Sequence, residues 1–146
     1  VVVDEVDRHG GLVNKFIGDA VLAIFGAPVD HPDHAGAALA AARTMARRLA
    51  AEVPEVGAGI GVATGEVVAG NVGHASRFEY TVIGDAVNSA SRLTDLAKEA
   101  PGRVLVARAS VVQAAGDEAS HWADHGTITL RGRTSETTVS VLLDPS

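Results

Sequence analysis

Lys15 and Asp19 are the only Lys, Arg, Asp or Glu residues between Arg8 and Asp30. They sit within Val13-Asn14-Lys15-Phe16-Ile17-Gly18-Asp19-Ala20-Val21-Leu22-Ala23-Ile24-Phe25, two apolar runs around an acidic tip. A carboxylate in that place either holds a metal ion or is solvated as an ordinary turn residue. Asn88 and Arg92 form a second pair. Four residues apart on a predicted helix, they can reach one ligand, and the plainer alternative is that Arg92 pairs with Asp95. His31/His34 and His121/His125 lack the further His or Cys partners of a metal pattern. The glycines of Gly57–Thr64 match neither a dinucleotide fingerprint nor a P-loop.

These residues need elements to position them. Residues 1–9 read as the end of a helix with Val2, Val3 and Val6 on one face, stopped by Gly10-Gly11. Gly18-Asp19 between two strand-like runs predicts a hairpin over about 12–25, with glycine supplying the positive φ of the first turn position. Pro32 then opens a helix, with Asp33 favourable to its dipole. The apolar stripe of that helix is Ala35, Ala38, Ala42, Met45 and Leu49, and Arg43, Arg47 and Arg48 read as its solvated face. Gly57 to Thr64 alternates small residues with Ile60 and Val62, a strand that another backbone or a ligand can approach closely. Residues 67–83 read as a long hairpin of the kind that serves as an arm for association. Asp85 lies near the start of a second helix, whose core stripe is Ala86, Ala90, Leu93 and Ala97. Asp85, Asn88, Arg92 and Asp95 form a stripe on another face. Val104-Leu105-Val106 predicts a short buried strand, 108–115 a short helix, and Trp122 a packed side chain. Two closing strands flank Arg131-Gly132-Arg133. The pentapeptide Ile-Gly-Asp-Ala-Val occurs at 17–21 and 83–87, and its differing flanks mark coincidence rather than a repeat.

Composition narrows the class. A chain of 146 residues suits one domain with a core. Apolar residues make up 47% and aromatics 3%, so that core is built from Val, Ala, Leu and Ile in an α/β or α+β fold. The net charge of −6 argues against general binding to nucleic acid or an anionic membrane. There is no cysteine, hence no disulfide. No apolar run of about 18 residues or signal peptide is found, which predicts a soluble chain without membrane contact.

Two blocks resemble class III adenylate/guanylate cyclase catalytic domains. Lys15-Phe16-Ile17-Gly18-Asp19-Ala20 with Phe25-Gly26-Ala27-Pro28 is similar to that family's metal hairpin. Phe78-Glu79-Tyr80-Thr81-Val82-Ile83-Gly84-Asp85-Ala86-Val87-Asn88-Ser89-Ala90-Ser91-Arg92 is similar to its substrate strand and transition-state helix. Gly59–Gly65 resembles the glycine-rich strand between them. The likeness runs from Val1 to about Leu143 and is nearest to bacterial, actinobacterial-type adenylate cyclases. It implies an α+β, ferredoxin-like sheet with flanking helices over residues 1–146. It further implies conversion of ATP to cyclic AMP and pyrophosphate with two divalent ions, magnesium (Mg2+) or manganese (Mn2+). By the resemblance, Asp19 is a metal ligand, Lys15 and Thr81 read an adenine base, Asn88 orients the ribose and Arg92 stabilises the pentavalent phosphate. Arg131 holds the terminal phosphates, with Arg133 an equal candidate. The site is expected at a head-to-tail homodimer interface, so a monomer is expected to be inactive. The implied location is cytoplasmic, including as the cytoplasmic part of a membrane-anchored protein.

The family's first metal aspartate lies on a strand that would precede Val1. The domain is therefore expected to be N-terminally truncated, with the first central strand missing and activity poor or absent in these residues alone. A sheet gap or open edge, strand exchange, an altered dimer or a rearranged N-terminus is expected with it. The alternative function is a cyclase-like dimerisation or regulatory module without turnover. A diguanylate cyclase is disfavoured, because its signature turn is lacking.

Overall fold

The computed structural model describes residues 1–17, 20–26, 31–65, 68–72, 79–129 and 136–143, with backbone only at Lys15, Ile17, 68–72, 79–83 and Glu136. Among the described residues four α-helices and eight strands follow in chain order: α1 (Val2–Arg8), β1 (Leu12–Ile17), β2 (Ala20–Ile24), α2 (His34–Glu52), β3 (Ile60–Val62), β4 (Val68–Val72), β5 (Glu79–Ile83), α3 (Asp85–Ala97), β6 (Val104–Ala107), α4 (Arg108–Gln113), β7 (Trp122–Thr129) and β8 (Glu136–Leu142). The fold is the expected α+β arrangement. Among the described residues its strands make three hydrogen-bonded groups: a β1–β2 hairpin, a β4–β5 hairpin, and a four-stranded sheet ordered β3-β6-β8-β7.

The four-stranded sheet holds the core. All four residues of β6 are buried, as expected for an apolar run covered on both faces. Val104 and Val106 pack with Leu39, Ala42, Trp122 and Leu142 on the α2 side. Leu105 and Ala107 pack with Leu93, Ala97, Val139 and Val141 on the α3 side. The alternation of strand side chains thus puts α2 and α3 on opposite faces. The β1–β2 hairpin shares a third cluster with α1 and α2, in which Val13, Ala23 and Phe25 meet Val6, Ala41 and Met45.

Several local expectations are corrected. Asp33, not Pro32, starts α2: it is the N-cap, and its Oδ1 accepts from the Gly36 N–H at 3.1 Å. The same oxygen accepts from the Ala115 N–H at 3.0 Å, tying the end of α4 to the start of α2. On α1 the buried neighbour of Val6 is Glu5, whereas Val3 is exposed. Glu5 is held in ion pairs with Arg8 at 3.3 Å and Arg48 at 3.9 Å. Of the three arginines on α2 only Arg47 fits a solvated face. Arg43 donates to both carboxylate oxygens of Glu118, at 2.6 and 2.7 Å, and Glu118 also accepts from the Trp122 indole at 2.9 Å. Arg48 bridges Asp4 on α1 and Glu52 at the end of α2. The hydrogen bond from Arg48, aided by the charge of Arg8, holds the Asp4 carboxyl below its usual range, and Arg48 does the same to Glu52.

Candidate functional site

The most completely defined part of the site is α3. Its core side carries Ser89, Leu93 and Ala97, all buried. Its outer side carries Asp85, Asn88, Arg92 and Asp95, all exposed, the stripe expected from helical spacing. Among the described residues Arg92 makes no ion pair within 4.0 Å, with Asp95 or any other carboxylate. The plainer alternative of an Arg92–Asp95 pair is therefore not what the structure contains. A fork of N–H donors and a carboxamide stand on one exposed face, one helical turn apart.

Lys15 lies on β1 opposite Leu22, beyond an irregularity in the register at Val13/Lys15. Ile17 pairs with Ala20, so the connection carrying Asp19 is the two residues Gly18-Asp19. Thr81 lies on β5 opposite Gly70, two positions before the strand ends at Ile83 and α3 follows. Asp19, Arg131 and Arg133 lie outside the described residues. So do both hairpin tips, 18–19 and 73–78. Asn88 and Arg92 are brought together on one face. The hairpin that carries Lys15 packs on α1, whereas α3 packs on β3 and β6. The two sets therefore belong to different parts of the fold.

Among the described residues no three His, Asp or Glu side chains stand close enough to hold a metal ion. Asn88 and Arg92 carry no negative charge and suit a sugar hydroxyl and a phosphate. In the predicted set only Asp19 offers a carboxylate, the charged oxygen ligand through which a magnesium ion is usually held.

The glycines of Gly57–Thr64 permit close approach, and at Gly59 and Gly61 the approaching partner is α3 with its C-cap Lys98. A Cβ on Gly61 would lie 2.6 Å from the Ala90 carbonyl oxygen and 2.7 Å from Thr94 Oγ1, and one on Gly59 3.2 Å from the Lys98 amide. Sequence reasoning missed this seam as part of the site. The signal that could have found it is the run Ala86, Ala90, Thr94 and Lys98 at four-residue spacing, opposite a strand with glycine at alternate positions.

The chain matches the family described as the adenylate and guanylate cyclase catalytic domain over residues 4–143, and it belongs to that family. It is 57% identical over 143 residues to the uncharacterized protein Rv1319c of Mycobacterium tuberculosis, covering 97% of this chain and 26% of that protein. It is 58% identical over 134 residues to Rv1320c of the same organism, covering 90% of this chain and 23% of that one. The chain thus spans about a quarter of the length of these relatives. Among solved structures, the guanylyl cyclase Cya2 superposes with a TM-score of 0.73 at 27% identity, over 95% of this chain and 73% of that one. The adenylyl cyclase CyaB from P. aeruginosa gives 0.74 at 26% identity, over 98% and 76%. These two structures, one of a guanylyl and one of an adenylyl cyclase, are thus similar to this chain to nearly the same degree, and overall likeness leaves the base specificity to individual residues.

Proposed function

We propose that this domain is an adenylate cyclase, converting ATP to cyclic AMP and pyrophosphate at the interface of a homodimer. The observation that carries the reading is the exposed Asn88–Arg92 pair on α3, with no ion pair spent on Arg92 among the described residues, in a member of a nucleotide cyclase family. In the reaction the ribose 3′-oxygen attacks the α-phosphorus, the bond to the β-phosphate oxygen breaks, pyrophosphate leaves, and the 3′-hydroxyl proton is lost to solvent. Asn88 would donate to the ribose and hold the 3′-oxygen in line. Arg92 would place two parallel N–H donors on the equatorial oxygens as charge gathers there. Lys15 and Thr81 would read the adenine edge, and Arg131 or Arg133 would hold the terminal phosphates. Asp19 would bind the magnesium or manganese, which, when bound, lowers the charge on the triphosphate and acidifies the 3′-hydroxyl. Closing this constellation would take Asn88 and Arg92 from one protomer and the metal ligand Asp19 from its partner.

The test is product formation by the full natural polypeptide, and by residues 1–146 alone, with ATP or GTP and either ion. Cyclic AMP from the full polypeptide, with GTP turned over at least ten times more slowly, is expected. A preference for GTP would reject the base assignment. Nucleotide binding by a stable dimer without turnover would instead make the domain a cyclase-like regulatory module.

A further inference from the structure

We infer that Gly59, Gly61 and Gly65 are positioning residues for Asn88 and Arg92, an inference that rests on the cyclase reading of that pair. The three glycines run along one side of α3. Gly59 faces Thr94 and Lys98, Gly61 faces Ala90 and Thr94, and Gly65 faces Ala86, whose Cβ would be 3.3 Å from a Cβ placed there. Ala86, Ala90, Thr94 and Lys98 share one face of the helix, each four residues from the next. The contact is of backbone on backbone, closed on the helix side by the Thr94 hydroxyl donating to the Ala90 carbonyl at 2.8 Å. Glycine in a strand weakens it, so Gly61 within the three residues of β3 is costly unless the close approach is useful.

The use lies in helix geometry. At about 100° per residue, Asn88 and Arg92 stand roughly 200° round the axis from Ala86 and Ala90. They are on the far side of α3 from the seam. Whatever sets the distance from β3 to α3 therefore sets, nearly one for one, how far the carboxamide and guanidinium project from the domain. An added methyl at Gly61 meets the Ala90 carbonyl oxygen at 2.6 Å, and restoring ordinary contact moves the helix outward by roughly 1 Å. A displacement of that size is enough to spoil in-line geometry. At Gly65 the neighbour is a single side-chain carbon at 3.3 Å, so the displacement there is a few tenths of an ångström.

The test is steady-state kinetics and crystal structures of the full natural polypeptide with Gly61→Ala and, separately, Gly65→Ala. Rates are taken per folded molecule, with the folded fraction measured by resistance of the native state to limited proteolysis. For Gly61→Ala the expected result is an α3 displaced from β3, kcat lower by about 10- to 100-fold, and a nucleotide KM within about threefold of the unsubstituted value. For Gly65→Ala a fall in kcat of about two- to fivefold, again at unchanged KM, is expected. If Gly61→Ala does not fold, the Gly65→Ala measurement decides alone. Unchanged kcat per folded molecule, with only the folded fraction reduced, overturns the inference, and so does an α3 that stays in place. Failure of the unsubstituted polypeptide to make any cyclic nucleotide overturns the cyclase reading instead, and is seen before either variant is assayed.

Discussion

Two side chains show how differently a charge can be used in this domain. Arg43 has its guanidinium spent: both oxygens of Glu118 accept from it, and Glu118 accepts from Trp122 as well. The pair is largely buried, and Glu118 pushes the Arg43 pKa upward by hydrogen bonding. Removing the carboxylate in Glu118→Ala strands a partly buried cation and an indole N–H. We expect a loss of about 2–3 kcal/mol in urea unfolding, with kcat per folded molecule unchanged. Arg92 is the opposite case, exposed and without an ion pair among the described residues. Arg92→Ala should leave stability within about 0.5 kcal/mol while lowering kcat by about 10²- to 10³-fold. Arg92→Lys should recover little, since a point charge does not replace a planar fork. A stability loss as large as that of Glu118→Ala would show that Arg92 is structural. Sequence separates these cases only in part. Helical spacing found the Asn88–Arg92 stripe, but Arg43 read as solvated because its partner lies 75 positions away, where no local pattern reaches.

At the scale of elements, the short helix α1 is held to α2 by apolar packing at Val6 and by charges. Asp4 and Glu52 both bind Arg48, and their carboxyls lie below the ordinary values of 3.8 and 4.5. A carboxyl whose folded pKa is depressed stabilises the fold above its unfolded pKa and loses that contribution as pH falls through the folded value. The attachment of α1 should therefore be constant above about pH 5 and weaken below about pH 4. Both groups are exposed, so the effect is modest and falls with added salt. Amide hydrogen exchange in α1, followed from pH 6 to pH 3, should rise in this acid range beyond the intrinsic change, and Arg48→Met should remove that rise. An acid response identical in the two proteins would mean that packing alone holds the helix. Element boundaries were legible where local chemistry decides them. The two hairpins, the buried strand at Val104 and both long helices follow from periodicity and turn residues. Which way α1 turns was not, because the buried neighbour of Val6 proved to be a glutamate whose counter-ions include an arginine on α2. Gly59 and Gly61 announced a close approach, and only the fold could say that the approaching backbone is α3.

For the molecule as a whole, the decisive feature is that α3, which carries Asn88 and Arg92, and the β1–β2 hairpin pack in different clusters. α3 covers the face of Leu105 and Ala107, while α2 covers the face of Val104 and Val106 and shares its packing with α1 and the β1–β2 hairpin. Sequence placed these strands but could not order them as β3-β6-β8-β7, since pairing order depends on contacts far apart in the chain. The hairpin also presents Phe16, 67% exposed, with Leu12 on the same strand. Such apolar surface is suited to burial against a second copy. If Asp19 of one chain works with Arg92 of the other, two inactive proteins can repair each other. Arg92→Ala supplies an intact hairpin and Asp19→Ala an intact α3, so a mixed dimer contains one complete site and one doubly damaged site. Random mixing in equal amounts makes about half the dimers mixed, each with one of two sites, and predicts recovery to about a quarter of the unsubstituted rate. Each protein alone should give less than about 1% of that rate. Recovery should follow the kinetics of subunit exchange and vanish when exchange is prevented by fusing each variant to itself in tandem. A mixture no more active than the sum of its parts would mean that each site is complete within one chain, and would reject the shared-site arrangement while leaving the family membership untouched.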